Sequence, residues 1–179
     1  MKLIVIDRDG VINEDSDDYI KSPDEWVPVP GSLEAIARLN RAGYVVAVAT
    51  NQSGLSRGYF DLKTLSAIHR KMESMLFEHG GRVDAVFYCP HGPKDNCDCR
   101  KPKPGLLNDI AQRFQVNMNG VMFIGDTISD IRAAEAANAK PVLVRTGKGT
   151  DTEKLLKESG VKDVPVYADL FEAVGFILS

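Results

Sequence analysis

The N-terminal stretch of residues 2–13 constrains the fold more than any other part of the sequence. Residues 3–6 are apolar without interruption, and Asp7 and Asp9 follow where that run ends. An uninterrupted apolar run is typical of a strand buried on both faces of a parallel sheet. Ligands of open α/β sheets bind at the carboxyl ends of such strands. Because two buried carboxylates are costly, we expect a cation to meet them there; a solvated pair in a surface turn is the alternative.

Strand and helix patterns alternate along the rest of the chain. Further strands are predicted at residues 44–49, 83–88, 121–124, 141–144 and 164–167. Helices are predicted to begin near Ser32, Asp61, Pro104, Asp130, Asp151 and Asp169, with Ser32 as the N-cap of the first. This alternation predicts an α/β fold with a doubly wound, mostly parallel, Rossmann-like sheet. Since no linker or repeat interrupts the pattern, we expect residues 1–179 to form a single domain.

Composition and charge limit the classes of protein to which this chain can belong. The formal net charge is −3, so we expect no nucleic-acid partner. No apolar run approaches the ~18 residues of a membrane span, and no signal peptide is evident before the first strand. We therefore expect a cytoplasmic monomer with no membrane association.

Small polar clusters follow three predicted strands, and a basic pair lies in the loop after the strand at 83–88. The residues concerned are Asp7, Asp9, Thr50, Asn51, Arg100, Lys101 and Asp126. Carboxylate oxygens together with a substrate phosphate are the ligands that Mg²⁺ prefers. One carboxylate can attack phosphorus, and a second can protonate the leaving alcohol. The set therefore suits magnesium-assisted phosphoryl transfer.

A second constellation lies in the loop that carries the basic pair. Its four members have the side chains that tetrahedral zinc prefers: Cys89, His91, Cys97 and Cys99. Four protein ligands leave no open position, so we expect a structural zinc that fixes the basic pair following it. Reduced thiols and a histidine in a surface loop are the alternative. We interpret His69 and His79, in or just after a predicted helix, as surface or packing residues.

The strand-end clusters resemble the four sequence motifs of the haloacid dehalogenase superfamily. The matching stretches are Asp7-x-Asp9-Gly10, Thr50-Asn51, Lys101-Pro102 and Gly125-Asp126-x-x-x-Asp130. The resemblance implies that Asp7 is the nucleophile and Asp9 the general acid/base of a phosphatase. It also implies that Asp7, the backbone carbonyl of Asp9 and Asp126 hold Mg²⁺. Thr50 and Lys101 would stabilise the transferring phosphoryl group, with Lys103, which repeats the Lys-Pro pattern, as the alternative lysine.

The zinc-loop residues narrow this resemblance to bacterial phosphatases that remove one phosphate from a heptose bisphosphate. Such enzymes supply heptose for lipopolysaccharide or surface glycans. The alternative enzymes are histidinol-phosphate phosphatase, which shares their zinc loop, and other small-molecule phosphatases. Since no insertion between the first three motifs is large enough for a separate cap domain, we expect a capless enzyme. The resemblance implies substrate contacts from Asp15, Asn51, Gln52, Ser53, Arg57 and Arg100. Arg57 is a candidate for the distal phosphate, or else a solvated loop arginine. A phosphoacceptor signalling domain is the non-enzyme alternative, although it would lack an acid two residues after the acceptor.

Overall fold

A six-stranded parallel sheet forms the centre of the computed structural model, which describes residues 1–161 and 163–179. The strands are β1 (Lys2–Ile6), β2 (Tyr44–Asn51), β3 (Ala85–Cys89), β4 (Met122–Gly125), β5 (Lys140–Val144) and β6 (Val166–Tyr167). Their order is β3-β2-β1-β4-β5-β6, and every neighbouring pair is parallel. The chain order reverses between β1 and β4, which is the point where open sheets of this kind bind ligands. The predicted fold class is confirmed.

Helices cover both faces of the sheet and account for its buried strands. They are α1 (Ser32–Arg41), α2 (Leu62–Glu78), α3 (Gly105–Phe114), α4 (Ile128–Ala136), α5 (Gly149–Glu158) and α6 (Leu170–Ile177). Alternate residues of β1 enter different cores, because successive strand side chains point to opposite faces. Ile4 and Ile6 pack in the core that includes α1 and α2, whereas Leu3 and Val5 pack in the core that includes α3 and α4.

The start of α1 differs from the sequence-based prediction. Gly31, with a φ of 82°, is the N-cap, and Ser32 already lies inside the helix. The fully buried Ser32 hydroxyl instead donates a hydrogen bond of 2.6 Å to the carbonyl oxygen of Ile12. Ser32 therefore ties α1 to the loop that follows β1, a long-range contact that local capping rules do not anticipate.

The connections between the first three strands are built from helices and loops alone. A one-turn 3₁₀ helix (Pro23–Glu25) and α1 lie between β1 and β2, and α2 alone lies between β2 and β3. Within the described part of the chain, these connections hold no inserted cap domain, as predicted. Among the same residues, no helix has both the length and the apolar character needed to cross a bilayer.

Candidate active site

A cavity of about 340 Å³ opens at the carboxyl ends of β1, β2 and β4. Ten of the sequence-predicted site residues line it: Asp7, Asp9, Asp15, Thr50, Asn51, Gln52, Ser53, Arg100, Lys101 and Asp126. Arg57 is outside this lining, and its guanidinium carbon lies 6.0 Å from the ring centre of Tyr19, a residue that does line the cavity. The fold thus brings together side chains from segments that are far apart in the sequence.

Asp7 and Lys101 form a buried ion pair at the floor of the cavity. Lys101 Nζ lies 2.9 Å from Asp7 Oδ1 and 2.7 Å from Asp130 Oδ1, and it also donates to the carbonyl oxygen of Ala49. Burial alone would lower the pKa of Lys101, but Asp130 and Asp7 outweigh it and raise that pKa. The lysine is therefore a fixed positive charge beside the carboxylate that the sequence predicts to be the nucleophile.

The two lysines that the sequence left as alternatives occupy different environments. Lys101 is 3% exposed, whereas Lys103 is an exposed residue whose Nζ donates to the carbonyl oxygen of Cys97. Of these two lysines, only Lys101 lines the cavity, and it contacts Asp7.

Asp130, the second aspartate of the Gly-Asp-x-x-x-Asp motif, has a structural role that the sequence pattern did not indicate. Asp130 Oδ1 accepts from Lys101 Nζ, and its Oδ2 accepts from the backbone N–H groups of Asp126 and Thr127. Thr127 Oγ1 in turn accepts from the Asp130 backbone, which completes a capping box at the start of α4. Asp130 thus connects this helix terminus to the lysine of another loop.

The carboxylates of Asp7, Asp126 and Asp130 form a cluster whose ligand atoms all lie within 4.8 Å of one another. Burial, Asp130 and Asp126 raise the pKa of Asp7 well above its ordinary value, and Lys101 offsets this only in part. Burial and Asp130 likewise raise the pKa of Asp126 to about 7. A cation bound among these carboxylates would reduce the repulsion between their negative charges.

Asp126 has the features expected of a ligand to that cation. Its Oδ1 is buried and has no hydrogen-bond partner among the described residues, while Oδ2 accepts from the Lys148 backbone at 2.8 Å. Gly10 and Gly147 flank the carboxylate at φ values of 82° and 57°, and a Cβ at either position would collide with Asp126 Oδ2. The residues present therefore fit a hard, oxygen-binding cation such as Mg²⁺.

Asp9 receives several hydrogen bonds. Arg8 Nε donates to Oδ1 at 2.9 Å and Nη2 to Oδ2 at 3.1 Å. The side-chain amides of Asn13 and Gln52 donate one bond each, at 2.9 and 3.0 Å. Burial raises the pKa of Asp9, but Arg8 and these amides outweigh it and hold that pKa below its ordinary value. The carboxylate is therefore fixed in orientation at the wall of the cavity.

The end of β2 contributes two side chains that act on other residues of the site. Gln52 Nε2 donates to Thr50 Oγ1 at 2.9 Å, which leaves the threonine hydroxyl proton free to point toward a substrate. The Asn51 amide exchanges two bonds of 3.1 Å with the backbone of Lys101. Asn51, predicted as a substrate contact, therefore also fixes the position of the buried lysine.

The four predicted zinc ligands lie together. The sulfur of Cys89 is 3.7 Å from that of Cys97 and 3.0 Å from that of Cys99, and His91 Nδ1 lies 3.5 and 3.4 Å from the sulfurs of Cys89 and Cys99. A tetrahedron with zinc–sulfur bonds of about 2.3 Å has edges of roughly 3.8 Å, so this cluster is close to the required size. The residues fit a structural zinc ion.

The zinc loop contacts the cavity through Arg100, whose Nη1 donates to the carbonyl oxygen of His91 at 3.2 Å.

Across the cavity, Lys148 Nζ lies 3.7 Å from Asp15 and 3.9 Å from Asp17. The sequence does not indicate this position of Lys148, because a Gly-Lys pair after a strand is not distinctive.

Comparisons with known proteins agree with this geometry. A family model described as HAD-hydrolase-like matches residues 98–173. The D-glycero-beta-D-manno-heptose-1,7-bisphosphate 7-phosphatase of Pseudomonas aeruginosa is 58% identical over 84% of both chains, and that of Pseudomonas putida is 53% identical over 97% of both. The crystal structure of D,D-heptose 1,7-bisphosphate phosphatase from B. bronchiseptica, complexed with magnesium and phosphate, has a TM-score of 0.95. It is 52% identical and covers 99% of this chain and 98% of its own.

Proposed function

Since the chain belongs to the D-glycero-beta-D-manno-heptose-1,7-bisphosphate 7-phosphatase family of HAD-like hydrolases, we propose that it removes the 7-phosphate of that sugar bisphosphate. The observation that carries the proposal is the placement of Asp7, Asp9 and Lys101 in one cavity. The product would supply activated heptose for lipopolysaccharide or surface glycan. The enzyme would act on this small molecule as a cytoplasmic monomer, in one domain of residues 1–179.

Asp7 is the proposed nucleophile. Its Oδ1 is held by Lys101 Nζ at 2.9 Å and by the Arg8 backbone N–H at 2.8 Å. Its Oδ2 accepts no hydrogen bond from the described residues, and this leaves Oδ2 available to attack phosphorus. The new bond joins Asp7 to the phosphoryl group as the bond from phosphorus to the sugar oxygen breaks.

Asp9 is the proposed proton carrier in both half-reactions. The first half-reaction uses the protonated form of Asp9, which Arg8 and the two amides disfavour in the free protein, and this form gives its proton to the sugar oxygen as that oxygen leaves. Asp9 then takes a proton from the water that attacks phosphorus and releases Asp7 with inorganic phosphate. The Thr50 hydroxyl donates to the phosphoryl oxygens and the positive charge of Lys101 lies beside them, where negative charge spreads in the transition state.

Mg²⁺, held by Asp7, the backbone carbonyl of Asp9 and Asp126, would neutralise charge on the phosphoryl group and on the crowded carboxylates. Zinc on Cys89, His91, Cys97 and Cys99 would take no part in the chemistry.

Phosphate release from a panel of substrates tests the proposed function. The panel contains both heptose 1,7-bisphosphate anomers, histidinol phosphate and fructose 1,6-bisphosphate. We expect the highest kcat/KM for the beta anomer, because that anomer appears in the names of the relatives. A higher kcat/KM for histidinol phosphate would instead assign the chain to the related amino-acid pathway activity. A protein that takes up phosphate but releases none would support the signalling alternative.

Mg²⁺ should raise the melting temperature of the wild-type protein by binding the folded state. The same addition should leave Asp126→Asn unchanged, because the unpartnered Asp126 Oδ1 is a proposed ligand. Asp109→Asn, on the exposed face of α3, is the control and should respond like the wild type. Differential scanning calorimetry with and without Mg²⁺ measures the effect, and full activity without a divalent ion would contradict the assignment.

The two basic residues after the zinc loop should have different effects: Lys101 on turnover and Arg100 on substrate binding. Lys101→Ala should lower kcat by about 10²-fold, because this lysine contacts the nucleophile. Arg100→Ala should mainly raise KM, because Arg100 lines the cavity without contacting Asp7 and would meet the rest of the substrate. Steady-state kinetics on both variants checks the division, which an unchanged kcat in Lys101→Ala would contradict.

Loss of zinc should displace Arg100 and Lys101, and both turnover and substrate binding should then be impaired. Cys99→Ser should weaken zinc binding, lower kcat and raise KM, since Arg100 and Lys101 follow Cys99 directly and Arg100 also bonds to the His91 carbonyl. Most of the sheet should stay folded by circular dichroism. Lys94→Ala, an exposed change in the same loop, is the control. If Cys99→Ser loses zinc yet keeps wild-type kinetics, the metal only stabilises the loop.

A further inference from the structure

Arg8, between the two catalytic aspartates in sequence, is fully buried. A guanidinium carries five donors and keeps its charge, so it is seldom buried without dedicated partners. The proposed mechanism gives the Arg8 side chain no role, although its backbone N–H holds Asp7. Its side-chain partners therefore indicate what it does.

The Arg8 guanidinium joins Asp9 to a histidine on α2. Nε and Nη2 donate to the two carboxylate oxygens of Asp9, and Nη2 also lies 2.8 Å from Oδ1. On the other side, Nη1 lies 3.2 Å from His69 Nε2. Because a two-pronged contact of this kind fixes both the distance and the plane of a carboxylate, Arg8 determines where the Asp9 oxygens lie.

His69 was interpreted from the sequence as a surface or packing residue, but the structure places it against Arg8. Burial and the Arg8 charge lower the pKa of His69 to about 4, with Asp9 acting in the opposite direction. The ring is therefore neutral at neutral pH, and its Nε2 lone pair accepts the bond from Arg8 Nη1, which assigns the ring proton to Nδ1.

We propose that Arg8 is a positioning residue that aims the Asp9 carboxylate at the leaving oxygen, and that His69 holds Arg8 in place. The inference rests on the proposed acid/base function of Asp9. The Asn13 and Gln52 amides also contact Asp9, but Arg8 is the charged donor among its described partners. His69 lies outside the cavity lining and acts only through Arg8.

Substitution of His69 tests the chain of contacts without touching the cavity. His69→Leu removes the acceptor for Arg8, whereas the amide oxygen of His69→Gln can replace it. The readout is kcat/KM for the sugar bisphosphate and for 4-nitrophenyl phosphate, whose leaving group needs no proton. We expect His69→Leu to lower the sugar value by 10- to 100-fold and the nitrophenyl value by less than about threefold. His69→Gln should restore the sugar value to within about threefold of wild type.

The ratio of the two kcat/KM values separates positioning from a general loss of structure. An equal loss on both substrates, or an unchanged ratio in a folded His69→Leu protein, would overturn the inference. If His69→Leu does not fold, Arg8→Lys provides the same comparison, because lysine keeps the charge but loses the two-pronged contact. Full activity of Asp9→Asn would instead refute the acid/base role, so failure of the inference and failure of the proposed function give different results.

Discussion

Asp7→Asn is expected to abolish turnover, by roughly 10⁴-fold or more, while the protein stays folded. The substitution keeps the shape of the side chain but removes the attacking oxygen anion. The Asn oxygen can still accept from Lys101 Nζ and the Arg8 backbone. Since burial and Asp130 already disfavour the charged form of Asp7, the free energy of unfolding should not fall.

Phosphate release and urea unfolding, measured on the same preparations, check this result. Asp109→Asn is the matched control, because it makes the same chemical change on an exposed helix face. In the wild type, borohydride treatment during turnover should reduce an aspartyl phosphate at residue 7, and mass spectrometry should locate that change. Appreciable activity of a pure Asp7→Asn protein would refute the covalent mechanism.

The sequence allowed the fold and the site location to be predicted because both depend on local patterns. Apolar runs that end in Asp7, Thr50 and Asp126 indicate parallel strands, and parallel strands present their carboxyl ends at one edge of the sheet. The zinc ligands lie within one short loop, so their spacing alone indicated a common ion. Neither prediction required knowledge of how distant side chains pack.

The remaining features depend on contacts between segments that the sequence pattern does not relate. Nothing in the local sequence indicates that Asn51 bonds to the backbone of Lys101, or that Arg8 reaches His69 on α2. Ser32 is a further example. Its residue type is typical of an N-cap, but its hydroxyl donates instead to the carbonyl oxygen of the buried Ile12. Such roles are fixed by the tertiary structure, where a buried polar group binds whichever partner the fold brings near.

Asp9→Asn is expected to lower turnover by about 10² to 10⁴-fold, the range for loss of general acid/base help. The structure adds a second expected effect. Arg8 is fully buried and would lose its charged partner, so the free energy of unfolding should fall by roughly 3 kcal/mol. Low activity of this variant could therefore have two causes, one chemical and one structural.

The double variant Arg8→Met with Asp9→Asn separates these causes. Removing both charges leaves no unpaired guanidinium, so most of the lost stability should return. Turnover should stay low, because the proton carrier is still missing. Urea unfolding and phosphate release on the single and double variants give the comparison. Recovery of turnover together with stability would show that the Asp9 carboxylate serves the fold rather than proton transfer, because a catalytic acid cannot be replaced by restoring the structure around it.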